Sequence, residues 1–594
     1  MSQFIFTPVR RAHLISPFGP GALQLSQNGV CAVVCGPPVW LESLKSVEGI
    51  AASTLFENQT IRDSHMEQPL GVDRLIAPWP LGDDPGPRSD WFVPAARFPL
   101  YEYCVNHACR ALMRKDPSDH NIGRCGRCTT GSRRKWQTVQ VPVVLACSEG
   151  HLADVPWSRW LHDADGPDCA FPDDLQFRPG SLPDQPMVNC LSCQRRRTLN
   201  RDDTFFCGGE RPWLPGLPVE QCGRNARVLE RTSTAIYYPT TVSSLAVPPL
   251  GVDNPALVQK LHSSSAIRSQ RRTFAAEGSE SCSIEIVRLC AQLGVRTNSA
   301  QVRRHLEALD VDREQAEDRP RELDALLTHR SRPNDGYGLP DLIVEPQEMA
   351  NYGPNPILKL FKAVSLVPRL REVRVLTGFS RVRPSDGIVK YEQLWGRPMP
   401  ERISEGDRTG WLPACEVFGE GILFQFDDDA VARWEHGVAE IAAPRPMGQS
   451  GNLRGFLVHT LAHMMMRAMA PYAGYTLPSL RERIYDSDER LAFLIYTSAG
   501  DIQGTLGGLV ELGRPGRLES LLEEATDRIR WCTTDPVCIE GSIELGLPET
   551  TLAGACHHCL LLPETSCERG NRSLDRAAVI GIKGRGGIEA PEQF

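Results

Sequence analysis

The stretch ACHHCLLLPETSC, residues 555–567, sets Cys556, His557, His558, Cys559 and Cys567 within thirteen positions. Two cysteines with two residues between them can turn both sulfurs onto one metal from a single tight turn, and tetrahedral zinc then needs two more ligands. Cys567 follows this knuckle with seven residues between, and Cys538 precedes it with seventeen, close to Pro536 in a turn-like context. Cys538, Cys556, Cys559 and Cys567 are therefore expected to close a four-thiolate zinc site, with Cys532, at the end of a helical stretch, as the fifth candidate. A site filled by four protein ligands has no place for water or substrate, so this one is expected to clasp a domain together, with His557 and His558 as neighbours. A redox Cys-x-x-Cys is the rival, but it normally sits at a helix N-terminus after a strand, a context absent here.

The same spacing recurs upstream. Of the chain's 20 cysteines, ten lie between 104 and 222 and five between 532 and 567, and such clusters in a reducing compartment bind metal more often than they pair. Cys104 and Cys109 precede Cys125 and Cys128 and read as one zinc site, with His107 a possible substitute ligand. Cys190 and Cys193, in NCLSCQRRR, form a second knuckle, which Cys207 and Cys222 are expected to complete. Cys147 and His151, in ACSEGHLADVPW, are also spaced as ligands and Cys169 could join them, but three donors are not four and core packing is the preferred reading. Zinc is the expected cofactor, at three sites.

A chain of 594 residues exceeds what one core supports, so three or more units are expected. With 41% hydrophobic and 23% charged residues it reads as a soluble protein, and no run of eighteen apolar residues offers a membrane span. The start, MSQFIFTPVRRAH, has no apolar signal region, and a cytoplasmic location is expected. A net charge of -8 argues against coating nucleic acid by bulk positive charge, since the phosphate backbone rewards clustered Lys and Arg. Local clusters remain candidates for phosphate contact: Arg133, Arg134 and Lys135 beside the first cysteine group, and Arg195, Arg196 and Arg197 beside the second.

The chain reads as multi-domain α+β, with loop-rich zinc-stapled modules and a mixed α/β C-terminal domain. Residues 1–100 are strand-rich, and there Cys31 and Cys35 of VCAVVCG read as core; 101–235 are the Cys-rich region; 236–345 are helical; 346–450 form a mixed α/β core; 451–594 form a C-terminal zinc-binding domain. PILKLFKAVSLVPRL (356–370) has a helix-like pattern that gives way to the β-branched VRVLTGFSRV. NLRGFLVHTLAHMMMRAMAP (452–471) reads as a helix with one apolar face, ended by Pro471.

Catalytic signatures fail. His459 and His463 in HTLAH have the spacing of two zinc ligands on a helix, but Thr460 stands where a zincin needs its general-base Glu. A polar contact is preferred to a catalytic metal; a metal-dependent nuclease or hydrolase on these histidines, with Asp486 or Asp488, is one alternative function and a purely structural scaffold is the other. The Gly-rich GDIQGTLGGLV lacks the Gly-Lys-Ser/Thr of a phosphate-binding loop, and no Gly-x-Ser-x-Gly elbow occurs.

Several strings together, CSEGHLADVPW (147–157), CGGERPWL (207–214), LREVRVLTGFSRV (370–382), VHTLAH (458–463), LIYTSAGDIQGTLGGLV (494–510) and ACHHCLLLPETSCE (555–568), resemble the DrmB components of DISARM antiphage systems. The C-terminal part resembles the zinc-binding domain of the MrfA helicase family, onto whose pattern Cys538, Cys556, Cys559 and Cys567 are carried over. The resemblance implies a non-catalytic role in defence against phage, in a hetero-oligomer with a DrmA-like superfamily 2 helicase that supplies ATP hydrolysis, and contact with DNA within that complex.

Overall fold

The run FKAVSLVPRLREVRVLTGFS is one strand, Phe361–Ser380, in the computed structural model of the chain, and only a single 3-10 turn, Leu358–Leu360, precedes it. The helix-like reading of 356–370 is corrected here. Its apolar residues are continuous because both faces of the strand are covered, and Pro368, which would break a helix, sits where the pairing with strand Ile343–Gln347 shifts register between Ile343↔Arg369 and Glu345↔Leu366. The structure describes residues 11–40, 59–78, 93–245, 280–303, 318–328, 342–398, 410–441, 453–497, 506–539 and 554–581, with short breaks inside several of these ranges, and positions 257, 306 and 587–588. Arg133, Arg134, Lys135 and Asp488 lie outside the described residues.

The chain divides into two compact units, Met1–Ser244 with Val373–Glu416, and Leu245–Glu372 with Val417–Phe594. In the first, the Cys-rich segment folds into three small antiparallel sheets. Their strand orders are Leu112–Arg114, Tyr101–Cys104, Thr138–Gln140; then Leu175–Arg178, Met187–Cys190, Arg196–Thr198; and Leu152–Ala153, Val143–Ala146, Asn225–Glu230, Thr204–Phe206. Strands this short are marginal by themselves. They share a core around Val143, Leu145, Trp157 and Phe177, with Tyr103 stacked on Phe177 at 4.8 Å between ring centroids. Arg381, of the GFSRV string, is fully buried, and its guanidinium donates to the carbonyls of Gly21, Gly150 and Ile236 and lies against the rings of Trp213 and Phe379. Cys31 and Cys35 are core residues, their thiols pushed up to about 11 and about 12 by burial.

In the second unit, strand Arg490–Thr497 pairs on one side with Leu480–Ser487 and on the other with the Gly421–Gln425 stretch of strand Trp411–Phe426. The LAFLIYT run is buried on both faces, as a continuous apolar run predicts. Against it packs the long helix Leu453–Ala473. This helix runs through Pro471, which falls in its last turn, and it is buried nearly all round, with His459, Thr460 and His463 fully inside. A one-faced helix was expected. The difference arises because strands cover one side while helix Arg517–Arg530 and the C-terminal Ala577–Ile580 turn cover others. Helix Arg517–Arg530 starts past Pro515, at Gly516, whose φ of 82° needs glycine. Among the described residues no helix is long and apolar enough to cross a membrane.

Candidate metal centres

Five groups of four donor residues form among the described residues, and within each group the ligand atoms lie within 4.8 Å of one another. The first is Cys104, Cys109, Cys125 and Cys128, the set expected from spacing. Cys104 ends a strand, Cys109 follows in the next turn, Cys125 directly precedes the single helical turn Gly126–Thr129, and Cys128 lies within it. Sulfur–sulfur distances are 3.8 Å for Cys104–Cys128 and 3.8 Å for Cys109–Cys125, and Asn106 Nδ2 donates to Cys128 Sγ at 3.4 Å. Arg110, directly after Cys109, holds a left-handed φ of 48°, as Gln194 does at 62° directly after Cys193. Such a conformation is unusual for a side-chain-bearing residue and turns the chain sharply at each knuckle. His107 is exposed and engages Arg110 instead. The local core here consists of Cys104, Ala111 and Cys125, too little apolar matter to hold the module without a staple.

The expected pairing of Cys190 and Cys193 with Cys207 and Cys222 does not form; each pair joins a different group. Cys207 and Cys222 lie with Cys147 and His151, and Cys190 and Cys193 with His162 and Cys169. Sheet topology is the reason. Strand Val143–Ala146 pairs antiparallel with Asn225–Glu230, which pairs with Thr204–Phe206, so Cys147 at the end of one strand, Cys222 before the next and Cys207 after the third all reach one end of one sheet. His151 closes the hairpin there, its Nδ1 3.4 Å from Cys147 Sγ, across a turn with Gly150 at φ 89°. In the other group, Cys193 Sγ is 3.3 Å from His162 Nε2 and Cys169 Sγ is 3.7 Å from Cys190 Sγ. His162 ends the helix Trp157–Leu161, and its Nδ1 is 2.8 Å from the Ser158 carbonyl. That bond assigns the proton to Nδ1 and leaves the Nε2 lone pair for a ligand. Cys147, His151 and Cys169, expected as core, are thus donors as well as partly or wholly buried residues. His162 carried no spacing signal.

The fourth group is Cys532, Cys538, Cys556 and Cys559, so the structure seats Cys532, and not Cys567, with the CHHC knuckle. Cys532 lies just past helix Arg517–Arg530, its Sγ 3.4 Å from Cys556 Sγ, and Cys538 Sγ is 3.8 Å from Cys559 Sγ. Its turn is fixed by Asp535, which accepts the Cys532 N–H at 3.0 Å and pairs with the buried Arg576. Within the knuckle, the N–H of His558 points at Cys556 Sγ (3.4 Å) and that of Cys556 at Cys559 Sγ (3.2 Å), and His557 and His558 are exposed. Burial opposes a thiolate at Cys556, yet the His558 N–H and Thr534 hydroxyl lower it to about 6, while burial pushes Cys559 up to about 11. Four sulfurs this close cannot all be anions unless a cation lies among them.

Cys567 belongs to the fifth group, with His459, His463 and Glu482. His459 and His463 stand one turn apart on the long helix, Glu482 is on strand Leu480–Ser487, and the four residues are 0%, 0%, 1% and 8% exposed for His459, His463, Glu482 and Cys567. Burial works against the Glu482 carboxylate, but the two histidines hold it ionised, well below the usual carboxylate range. Asp486, an alternative acid for a metal on this helix, is paired with Arg569 at 2.6 Å. Nothing in the sequence marks Glu482, one of the two acids on that strand with Asp486.

Of the basic residues, Arg196 is exposed, Arg195 is half-buried, and Arg197 donates to the Trp160 carbonyl at 2.7 Å with its guanidinium over the Trp160 ring.

Comparison with known proteins first defines a class. Residues 461–560 match the MrfA Zn-binding domain, a stretch that contains Cys532, Cys538, Cys556 and Cys559 and stops short of Cys567, and residues 10–238 match a domain of unknown function, DUF8724, which spans the three upstream groups. The chain therefore carries a zinc-binding domain behind a Cys-rich domain. More particularly, it is similar to the DISARM protein DrmB of Bacillus paralicheniformis (strain ATCC 9945a / NCIMB 11709 / CD-2), 26% identical over 526 residues, which cover 82% of this chain and 89% of that protein. The resemblance read from the sequence strings is borne out at this level.

Proposed function

We propose that this chain is a non-catalytic, zinc-stapled subunit of a DISARM-type antiphage complex, which partners a DrmA-like superfamily 2 helicase and contributes to binding and sensing invading DNA. The similarity to DrmB across 82% of the chain carries the reading. Zinc fits the four cysteine-rich groups: each offers three or four sulfurs, imidazole completing the set where there are three, with ligand atoms no more than 4.8 Å apart. In this reading Cys104, Cys109, Cys125 and Cys128; Cys147, His151, Cys207 and Cys222; His162, Cys169, Cys190 and Cys193; and Cys532, Cys538, Cys556 and Cys559 each hold one ion. With four protein donors apiece such ions have no open position for water, so they fold and brace the chain instead of activating a nucleophile. The hydrolase alternative at His459 and His463 loses support by the same argument, because Glu482 and Cys567 fill the positions a substrate would need.

DNA contact rests on Arg195, Arg196 and the Arg133–Lys135 cluster; Arg197 serves Trp160. The test is co-purification of the full chain with a DrmA-like superfamily 2 helicase, followed by DNA titration over a range of salt. Each phosphate contact removed should reduce the slope of log affinity against log salt by about 1. A complex carrying Arg195→Ala and Arg196→Ala with unchanged affinity and slope would refute the contact, and failure to co-purify would refute the partnership. DNA cleavage by the isolated chain that depends on added metal would refute the non-catalytic assignment.

A further inference from the structure

The geometry points to a further closed metal site, distinct from the four cysteine-rich ones: we propose that His459, His463, Glu482 and Cys567 together bind one borderline divalent ion, zinc by preference. The distances agree with a shared centre. His459 Nε2 is 3.0 Å from Glu482 Oε1 and 3.2 Å from Cys567 Sγ, and His463 Nε2 is 3.3 Å from Glu482 Oε2. Ligands about 2.0–2.3 Å from a tetrahedral zinc stand roughly 3.3–3.8 Å from one another, so small outward shifts suffice.

The orientation of the polar atoms argues that a cation belongs there. His463 Nδ1 is 3.0 Å from the Leu560 carbonyl, to which it can only donate, so in the neutral ring Nε2 bears a lone pair. That lone pair faces Glu482 Oε2, also an acceptor, and neither atom has a hydrogen-bond partner. Two acceptors face to face at zero exposure are costly unless a proton or a metal lies between them. Cys567 decides between the two. Its sulfur receives the backbone N–H groups of Asn571 at 3.2 Å and Arg569 at 3.4 Å, the arrangement that supports a thiolate and the one seen at the CHHC knuckle. With a shared proton alone Cys567 stays a neutral thiol, and the two N–H groups aimed at its sulfur have no anion to receive them. A divalent cation neutralises Glu482 and Cys567 together and leaves no net charge buried.

The donors come from the long helix, a neighbouring strand and the C-terminal segment, so the ion would pin residue 567 to the helix from which the unit is built. His463 also bonds Leu560, next to Cys559, which sets the two C-terminal sites side by side. With Glu482 and Cys567 in place no open position remains, so the role is structural.

The test uses the full chain. Metal per chain should be five by elemental analysis, and Cys567→Ser and Glu482→Gln should each lose one ion while the other four stay. If a variant does not fold, zinc-edge X-ray absorption of the unmodified protein decides. Five filled sites give fifteen sulfurs to five nitrogen or oxygen donors, and four cysteine-rich sites alone give fourteen to two. Four ions per chain with the fourteen-to-two ratio, or a metal content unchanged in both variants, would overturn the proposal and leave a proton clamp. Loss of ions from the cysteine-rich sets with this one retained would count against the four-site zinc reading and not against this one.

Discussion

Replacing Cys532 with Ser is the sharpest test of how the C-terminal clasp closes, because the sequence alone placed Cys567 in that role. Cys532 Sγ is 3.4 Å from Cys556 Sγ, and a serine hydroxyl there does not ionise at neutral pH and sits on a shorter bond. Structural zinc in small domains is bound with about 10–16 kcal/mol, so one ligand of four accounts for roughly 2.5–4 kcal/mol. At 1.4 kcal/mol per decade that is an affinity loss of about 10²–10³-fold. The assay is competition for zinc between the full chain and a chromophoric chelator, with metal per chain counted by native mass spectrometry. Cys532→Ser should shed one ion at a chelator concentration that strips none from the unmodified protein. Combining it with Cys556→Ser should cost no second ion, whereas Cys567→Ser combined with Cys556→Ser should cost two. A Cys532→Ser protein that keeps every ion, or one that loses a second ion when Cys556→Ser is added, would refute the assignment.

Arg381→Met should destabilise the first unit by about 3–6 kcal/mol, since it strands three buried carbonyls that Arg381 now satisfies; a loss under about 1 kcal/mol in urea unfolding would contradict that account. Gly150→Ala forces a side chain into a φ of 89°, at a cost of about 1–2 kcal/mol, and brings Cβ to 2.7 Å from the Gln393 amide nitrogen, itself held on the Glu149 carbonyl. The Cys147–His151 turn should then open first, so this ion should be the earliest lost to chelator, and an unchanged order of release would count against it. Stripping metal with a mercurial and chelator should leave the module around Cys104 and Cys128 open to proteolysis, because Cys104 and Cys125 are most of the local core there; resistance equal to the untreated protein would refute the staple role.

Local features were legible and long-range ones were not. Knuckles such as Cys125/Cys128 and Cys556/Cys559 follow from spacing, because a tight turn alone brings two sulfurs together. The four-thiolate group at 104–128 could be read whole because strand Tyr101–Cys104 pairs with Thr138–Gln140 and folds the intervening segment back on itself. The next two groups could not, since one is nested inside the other: strand pairing brings donors at 147 and 151 to those at 207 and 222, and the donors at 162, 169, 190 and 193 meet between them in the sequence. PILKLFKAVSLVPRL misled for a related reason, because a strand covered on both faces loses the alternation that separates it from a helix.

Residue pattern alone marks a multi-unit α+β protein rich in metal-ligand turns, without a phosphate-binding loop or nucleophile elbow, and akin to DrmB. Which half-sites meet depends on the packing of distant segments. It sent Cys567 to the histidines of the long helix and Cys532 to the CHHC knuckle, and it brought in His162 and Glu482, which no spacing announces. The physical reason is range: a turn is set by neighbours a few residues apart, whereas a four-donor site is closed by strand order and helix packing between segments as far apart as His459 and Cys567.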